Sequence, residues 1–174
     1  SVEEVVEEVK RLIEEVEKTN KKTVEDSKRL IDDIRRRIEE VMRHNRELIK
    51  KIEREVTKEE VVRKIRDVLR KSEENLKELL REITERVKKD EKDNEENLRR
   101  TRELLEEMER LARAGTIDLR ELLERVRRLV EESKRNAEES LRRSEKVIKE
   151  ATDHLRRNNE TIKRVIDRVR EEAK

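Results

Sequence analysis

The chain has 174 residues, 55% of them charged and 30% hydrophobic, with no Pro, Cys, Phe, Tyr or Trp and a single Gly. The lack of Cys excludes disulfides, iron–sulfur clusters and thiol catalysis and leaves the redox compartment open. Its 49 basic and 47 acidic residues nearly cancel, so there is no strongly basic face of the kind that nucleic acid or an anionic membrane requires.

Low hydrophobicity is shared with disordered chains, but those combine it with high net charge and no period. Here the Val, Leu and Ile recur at helical spacing, which predicts folded helix. No apolar run approaches the roughly 20 residues of a membrane helix, and no stretch resembles a signal peptide. The chain is expected to be soluble and, in a recombinant host, cytoplasmic.

The first helix is predicted over 2–55. Ser1 is its N-cap, with Glu4 three residues on, the spacing of a capping box. The apolar stripe runs Val2, Val5/Val6, Val9, Leu12/Ile13, Val16, then Leu30/Ile31, Ile34, Ile38, Val41, Leu48 and Ile52. Its period is about 3.57 residues, between the 3.5 of a left-handed coiled coil and the 3.6 of a straight helix. Thr19, Asn20, Thr23 and Ser27 occupy apolar slots, as does Asn45 with His44 beside it.

No Gly or Pro marks the first turn. Thr57 with Glu60 makes a second capping box, and Val56 with Val61 stands at the spacing of a hydrophobic staple. The phase of the stripe changes here as well, since continuing it asks for apolar residues near Glu59 and Arg66. The alternative is one unbroken helix past residue 110 that needs a second chain to bury it.

The second helix is predicted over 58–114, with Ser72, Asn75, Asp90, Asn94, Asn97 and Thr101 as polar intruders in its stripe. Between Val87 and Leu98, ten residues pass without one apolar side chain, the sequence KKDEKDNEEN. Ala114-Gly115 ends the helix, because Gly adopts the left-handed conformation of a C′ position without penalty. Asp118 with Glu121 gives a third capping box and Ile117 with Leu122 a second staple. The third helix is predicted over 119–173, interrupted by Ser133, Asn136, Ser140, Ser144, Thr152, Asn158 and Asn159.

Three long helices joined by short turns predict an all-α fold: one antiparallel up-down-up three-helix bundle of gently supercoiled helices, a single domain over 1–174. Each helix is expected to be roughly 80 Å long at 1.5 Å per residue. Folding at the turns places residues level when their numbers total about 113 on helices 1 and 2 and about 231 on helices 2 and 3, with an offset near 118 between helices 1 and 3. Two polar layers follow. One gathers Thr19, Asn20, Thr23 and Ser27 with Asp90, Asn94, Asn97, Thr101, Ser133, Asn136, Ser140 and Ser144; the other gathers His44, Asn45, Ser72, Asn75, Asn158 and Asn159.

An unpaired buried polar group costs roughly 1 to 3 kcal/mol, so interior Asn, Ser and Thr have to satisfy one another across helices. Their expected purpose is specificity, since aliphatic seams alone slide by a heptad at little cost. Sharper chemistry has less behind it. His44 and His154 are of the residue type that serves as metal ligand or pH sensor, but they are about eight positions apart in the alignment, and neither has the Glu-x-x-His spacing of a di-iron bundle. A flank residue bonded into the network or to its i−4 carboxylate, Glu40 or Glu150, is the expected role of each. Asp90 reads as a network acceptor or a solvated flank residue before a general base, for no nucleophile accompanies it. Ser72, Ser133, Ser140 and Ser144 stand inside helices rather than on a strained turn, and no Gly-rich loop cradles a phosphate.

Taken together, the capping boxes from Ser1, Thr57 and Asp118, the two staples, Gly115, the aromatic-free aliphatic core, the Glu/Lys/Arg surface and the inserts Asn20, Asn45, Asn75, Asn94, Asn97, Asn136 and Asn158 resemble a de novo designed helical bundle with buried hydrogen-bond networks. The resemblance covers the whole length. It implies high stability, recombinant origin and no evolved activity: no catalytic residue, cofactor, metal or native partner. A monomeric scaffold is the expectation. The alternatives are a single-chain form or component of a hetero-oligomeric helical assembly, and a natural spectrin-like interaction rod.

Overall fold

A computed structural model describes residues 1–172, which form three helices with no strand among them: α1 (Val2–Glu55), α2 (Glu59–Ala114) and α3 (Leu119–Glu172). They pack against one another as an antiparallel up-down-up bundle. The predicted last helical residue, Ala173, lies outside the described residues. Strong helix formers fill all three segments and no Pro interrupts them. Acidic residues occupy the first turns (Glu3 and Glu4, Glu59 and Glu60, Glu121) and Arg54, Arg113 and Arg170 the last, which complements the helix dipole.

The helix ends differ from one another in how they are closed. Ser1 Oγ accepts from the Glu4 amide at 3.4 Å, and the terminal ammonium stands 3.8 Å from the Glu4 carboxylate, so both halves of the predicted pairing are drawn together. At the first turn, between α1 and α2, the cap falls one residue later than predicted. The Lys58 carbonyl accepts from Val61 and Val62 at 3.1 and 3.2 Å, which makes Lys58 the N-cap and leaves Thr57 exposed and outside the helix. Val56 and Val61 are nevertheless both buried, and the Val56 amide still donates to Ile52 at 2.8 Å, so the two valines pack although the cap has moved on by one residue. Asp118 Oδ1 accepts from the Arg120 amide at 3.1 Å, but Glu121 turns to Arg125 at 2.8 Å, so this capping box is only half formed. Gly115 sits at φ +67°, with nothing within 4 Å of where a Cβ would stand; backbone conformation alone calls for glycine here.

The chain divides into two compact units, each containing a segment of every helix. Unit 1 comprises Ser1–Arg29 and Val87–Glu145. Its apolar core joins Val5, Val9, Leu12 and Val16 of α1 to Leu105 and Ala112 of α2 and Leu122, Val126 and Val130 of α3. Unit 2 comprises Leu30–Arg86 and the helical residues from Lys146. Its core joins Ile52, Val61, Ile65 and Leu69 to Ile162, Ile166 and Val169. In each unit the aliphatic cluster lies toward a turn or the chain ends.

Candidate functional site

In unit 1, seven polar side chains are buried: Thr23, Ser27, Asn94, Thr101, Ser133, Ser140 and Ser144. They sit at stripe positions, so the periodicity that buries Val and Ile elsewhere carries them inward too. Asn94 Nδ2 donates to Ser140 Oγ at 2.9 Å, which joins α2 to α3 through two buried groups. Ser27 and Ser144 bring their hydroxyls to 3.5 Å, joining α1 to α3. At the half-buried edge Asn136 Nδ2 donates to Asn97 Oδ1 at 3.5 Å. Thr23 closes locally on the Thr19 carbonyl at 3.0 Å, the return to the preceding turn typical of a helical threonine.

These contacts are separate pairs, and the single network expected to join Asn20, Asn94 and Asn136 does not form among the described residues. Asn94 turns to Ser140, Asn136 to Asn97, and Asn20 is half-buried with no bond to either. Asp90 is half-buried, with Arg143 Nε 3.8 Å from its carboxylate. Arg143, Asp93, Asn94, Asn97, Asn136 and Glu139 line a small cleft of about 200 Å³ on this seam.

In unit 2, Ser72 Oγ donates to Asn158 Oδ1 at 2.7 Å, again joining α2 to α3. Asn45 is buried on α1, and its Nδ2 has no hydrogen-bond partner. Three residues expected in this layer are exposed instead: His44, Asn75 and Asn159. Each stands next to an inward-facing residue, namely Asn45, Leu76 and Asn158. One residue is about 100° of helix rotation, enough to turn a side chain from the core to water. His154 is half-buried between two clefts of about 490 and 340 Å³. Among the described residues no three His, Cys, Asp or Glu side chains gather as a metal site would require, and no helix is long and apolar enough to cross a membrane.

The flanks of the stripes carry charge pairs that sequence reasoning did not single out. Lys134 pairs with Glu15 and Arg102 with Glu17 in unit 1; Arg46 pairs with Glu73, Arg66 with Glu53 and Arg170 with Glu55 in unit 2. Their signal was opposite charge at the positions bordering the stripe, where coiled-coil helices place partner-selecting charges. The Lys134 ammonium, bonded to Glu15, holds that carboxyl below its ordinary value, and Arg11 does the same for Glu8. Glu53 raises the Arg66 guanidinium in return.

These pairs also show which residues meet across the helices. On α1 and α2 the partners total 119 in all three cases, Glu17 with Arg102, Arg46 with Glu73 and Glu53 with Arg66, where a level total near 113 was expected. Helical side chains lean toward their own N-terminus. In an antiparallel pair the two leans oppose, so tips meet when both residues lie further along the chain than the level pair. On α1 and α3, which run parallel, the leans cancel, and Glu15–Lys134, Ser27–Ser144 and Glu55–Arg170 keep offsets of 119, 117 and 115, around the expected 118.

Comparison of the chain with family models, curated proteins and solved structures finds no match.

Proposed function

We propose that this chain is a designed structural scaffold without a natural biochemical activity, in which interior polar pairs set the register and pairing of its helices. The observation that carries this reading is the Asn94–Ser140 bond at 2.9 Å between two buried side chains on different helices. An aliphatic residue at either place contributes more burial energy, about 1.5 to 3 kcal/mol for a full Leu or Val side chain. A polar pair there gains little net stability, but any slip of α2 along α3 separates donor from acceptor and leaves both unsatisfied, at roughly 1 to 3 kcal/mol each. The pair therefore acts against alternatives more than it supports the native state. On this reading the chain turns over no substrate, and its surface charges serve solubility and helix pairing.

Spin labels test it. The chain has no Cys, so Lys22→Cys and Arg142→Cys, both exposed in unit 1, place two nitroxides on α1 and α3, and Asp93→Cys with Arg142→Cys reports α2 against α3 in the same way. The expected result is one narrow distance in the parent and a broader or split distribution on the α2–α3 pair after Asn94→Leu with Ser140→Leu. Retention of a single narrow distance in that variant, with helicity unchanged, overturns the role given to the polar pair.

A further inference from the structure

The α2–α3 side of unit 2 bears two adjoining clefts that share His154 and Arg157. Their floors are apolar, Val68 and Ile162 in one and Leu79, Ile83 and Val147 in the other, and their charges differ: Lys71 belongs to the first, Glu82 and Glu150 to the second. Among the described residues, none of Lys71, Glu82, Glu150 and Arg157 takes part in an ion pair, whereas the α1–α2 seam of the same unit is closed by Arg46–Glu73 and Arg66–Glu53.

We propose that this face binds a second copy of the chain, the two copies being related by a twofold axis that lies in the interface and crosses the helices. Such an axis sets α2 antiparallel to the α2 of the other copy and α3 antiparallel to its α3. Residues then meet in pairs that share a midpoint, and each pair occurs twice. Lys71 and Glu82 have their midpoint between Leu76 and Lys77; Arg86 and Asp67, the latter also 3.7 Å from Arg70 on its own helix, have the same midpoint. On α3, Glu150 and Arg157 have theirs between Asp153 and His154. The two midpoints total 230, as do the numbers of the bonded residues Ser72 and Asn158, so the side chains around them converge at one height and one axis serves both helices. Three kinds of opposite-charge pair, each doubled, thus coincide with a cleft floor in which Val68, Leu79 and Val147 are half-buried over the buried Ile83 and Ile162. Single exposed pairs contribute little, so the association depends on all of them together and weakens with salt. It is independent of the scaffold reading, because polar pairs within a chain fix register whether or not two chains meet.

Sedimentation equilibrium over a concentration series at low salt tests the proposal. The expected mass rises from 21.2 kDa toward twice that value. Lys71→Glu and Glu82→Lys, each placing like charges opposite one another, are expected to remain at 21.2 kDa alone with parental helicity. An equimolar mixture of the two regains the higher mass, as does the double variant, because charge opposition is restored in both. A parent that stays at 21.2 kDa throughout, a Lys71→Glu chain that associates as strongly as the parent, or a mixture that fails to recover each overturns the arrangement.

Discussion

Ser72 gives its hydroxyl proton to Asn158 Oδ1 over 2.7 Å, so α2 and α3 are tied by a polar contact in unit 2. Asn45 contributes a buried amide from α1 whose Nδ2 meets no acceptor. The two observations have opposite consequences for substitution.

Asn45→Leu removes the unsatisfied donor and is expected to raise stability by about 1 to 3 kcal/mol. A chemical denaturation curve reads it as a higher midpoint with unchanged slope. Ser72→Ala strips the donor from Asn158 and is expected to cost about 1 kcal/mol, softened because Asn158 is half-buried and can turn to water. A destabilised Asn45→Leu means that the amide has a partner in solution.

The pairing of Glu15 with Lys134 makes stability depend on pH at the acid end. Hydrogen bonding from Lys134, with its charge and that of Arg11, lowers the carboxyl from its ordinary 4.5. The unfolded chain then takes up the proton more readily than the folded one, so the contribution is present above the ordinary value and is lost as pH falls through the lower, folded value. Glu15→Gln is expected to flatten the fall in melting temperature below about pH 4.5 without moving it at neutral pH by more than the small contribution of an exposed pair. Added salt reduces the difference between the two chains. Equal acid sensitivity in both removes Glu15–Lys134 as its cause.

Gly115 occupies φ +67° with open space around its α-carbon. Gly115→Ala therefore meets no clash and is charged only for the left-handed backbone, about 1 to 2 kcal/mol. Gly115→Asn is expected to cost less, since Asn tolerates that conformation. Thermal melting of the two variants side by side checks the order, and an Ala variant as stable as the parent means the turn has found another conformation.

The helices were legible because their period, their polar flanks and Gly115 agree with one another. Which polar residues face inward was only partly so. Asn45 and His44 are adjacent, and sequence alone does not fix the helix phase to the accuracy that separates them; burial of Ile38 and Ile52, seven residues to either side of Asn45, settles it. The cap at Lys58 rather than Thr57 was hidden because Lys58 closes the turn through its backbone carbonyl and has no side-chain acceptor to mark an N-cap in the sequence. The bonding partners of Asn94 and Asn136 were hidden for a different reason: the direction a side chain leans is set by backbone geometry, so positions level by count are not those whose tips meet.

Leu104 and Leu105 give the sharpest contrast between packing and composition. They are adjacent and identical, yet Leu105 is fully buried in the core of unit 1 while Leu104 is 43% exposed. Leu105→Ala removes a side chain from the cluster that also contains Val9, Leu12 and Val126 and leaves a cavity, at about 2 to 5 kcal/mol. Leu104→Ala loses only partial burial and gains in helix propensity, so a change within about 0.5 kcal/mol is expected. Urea denaturation of both variants decides the phase of α2 in unit 1, because a helix rotated by one residue interchanges the two results.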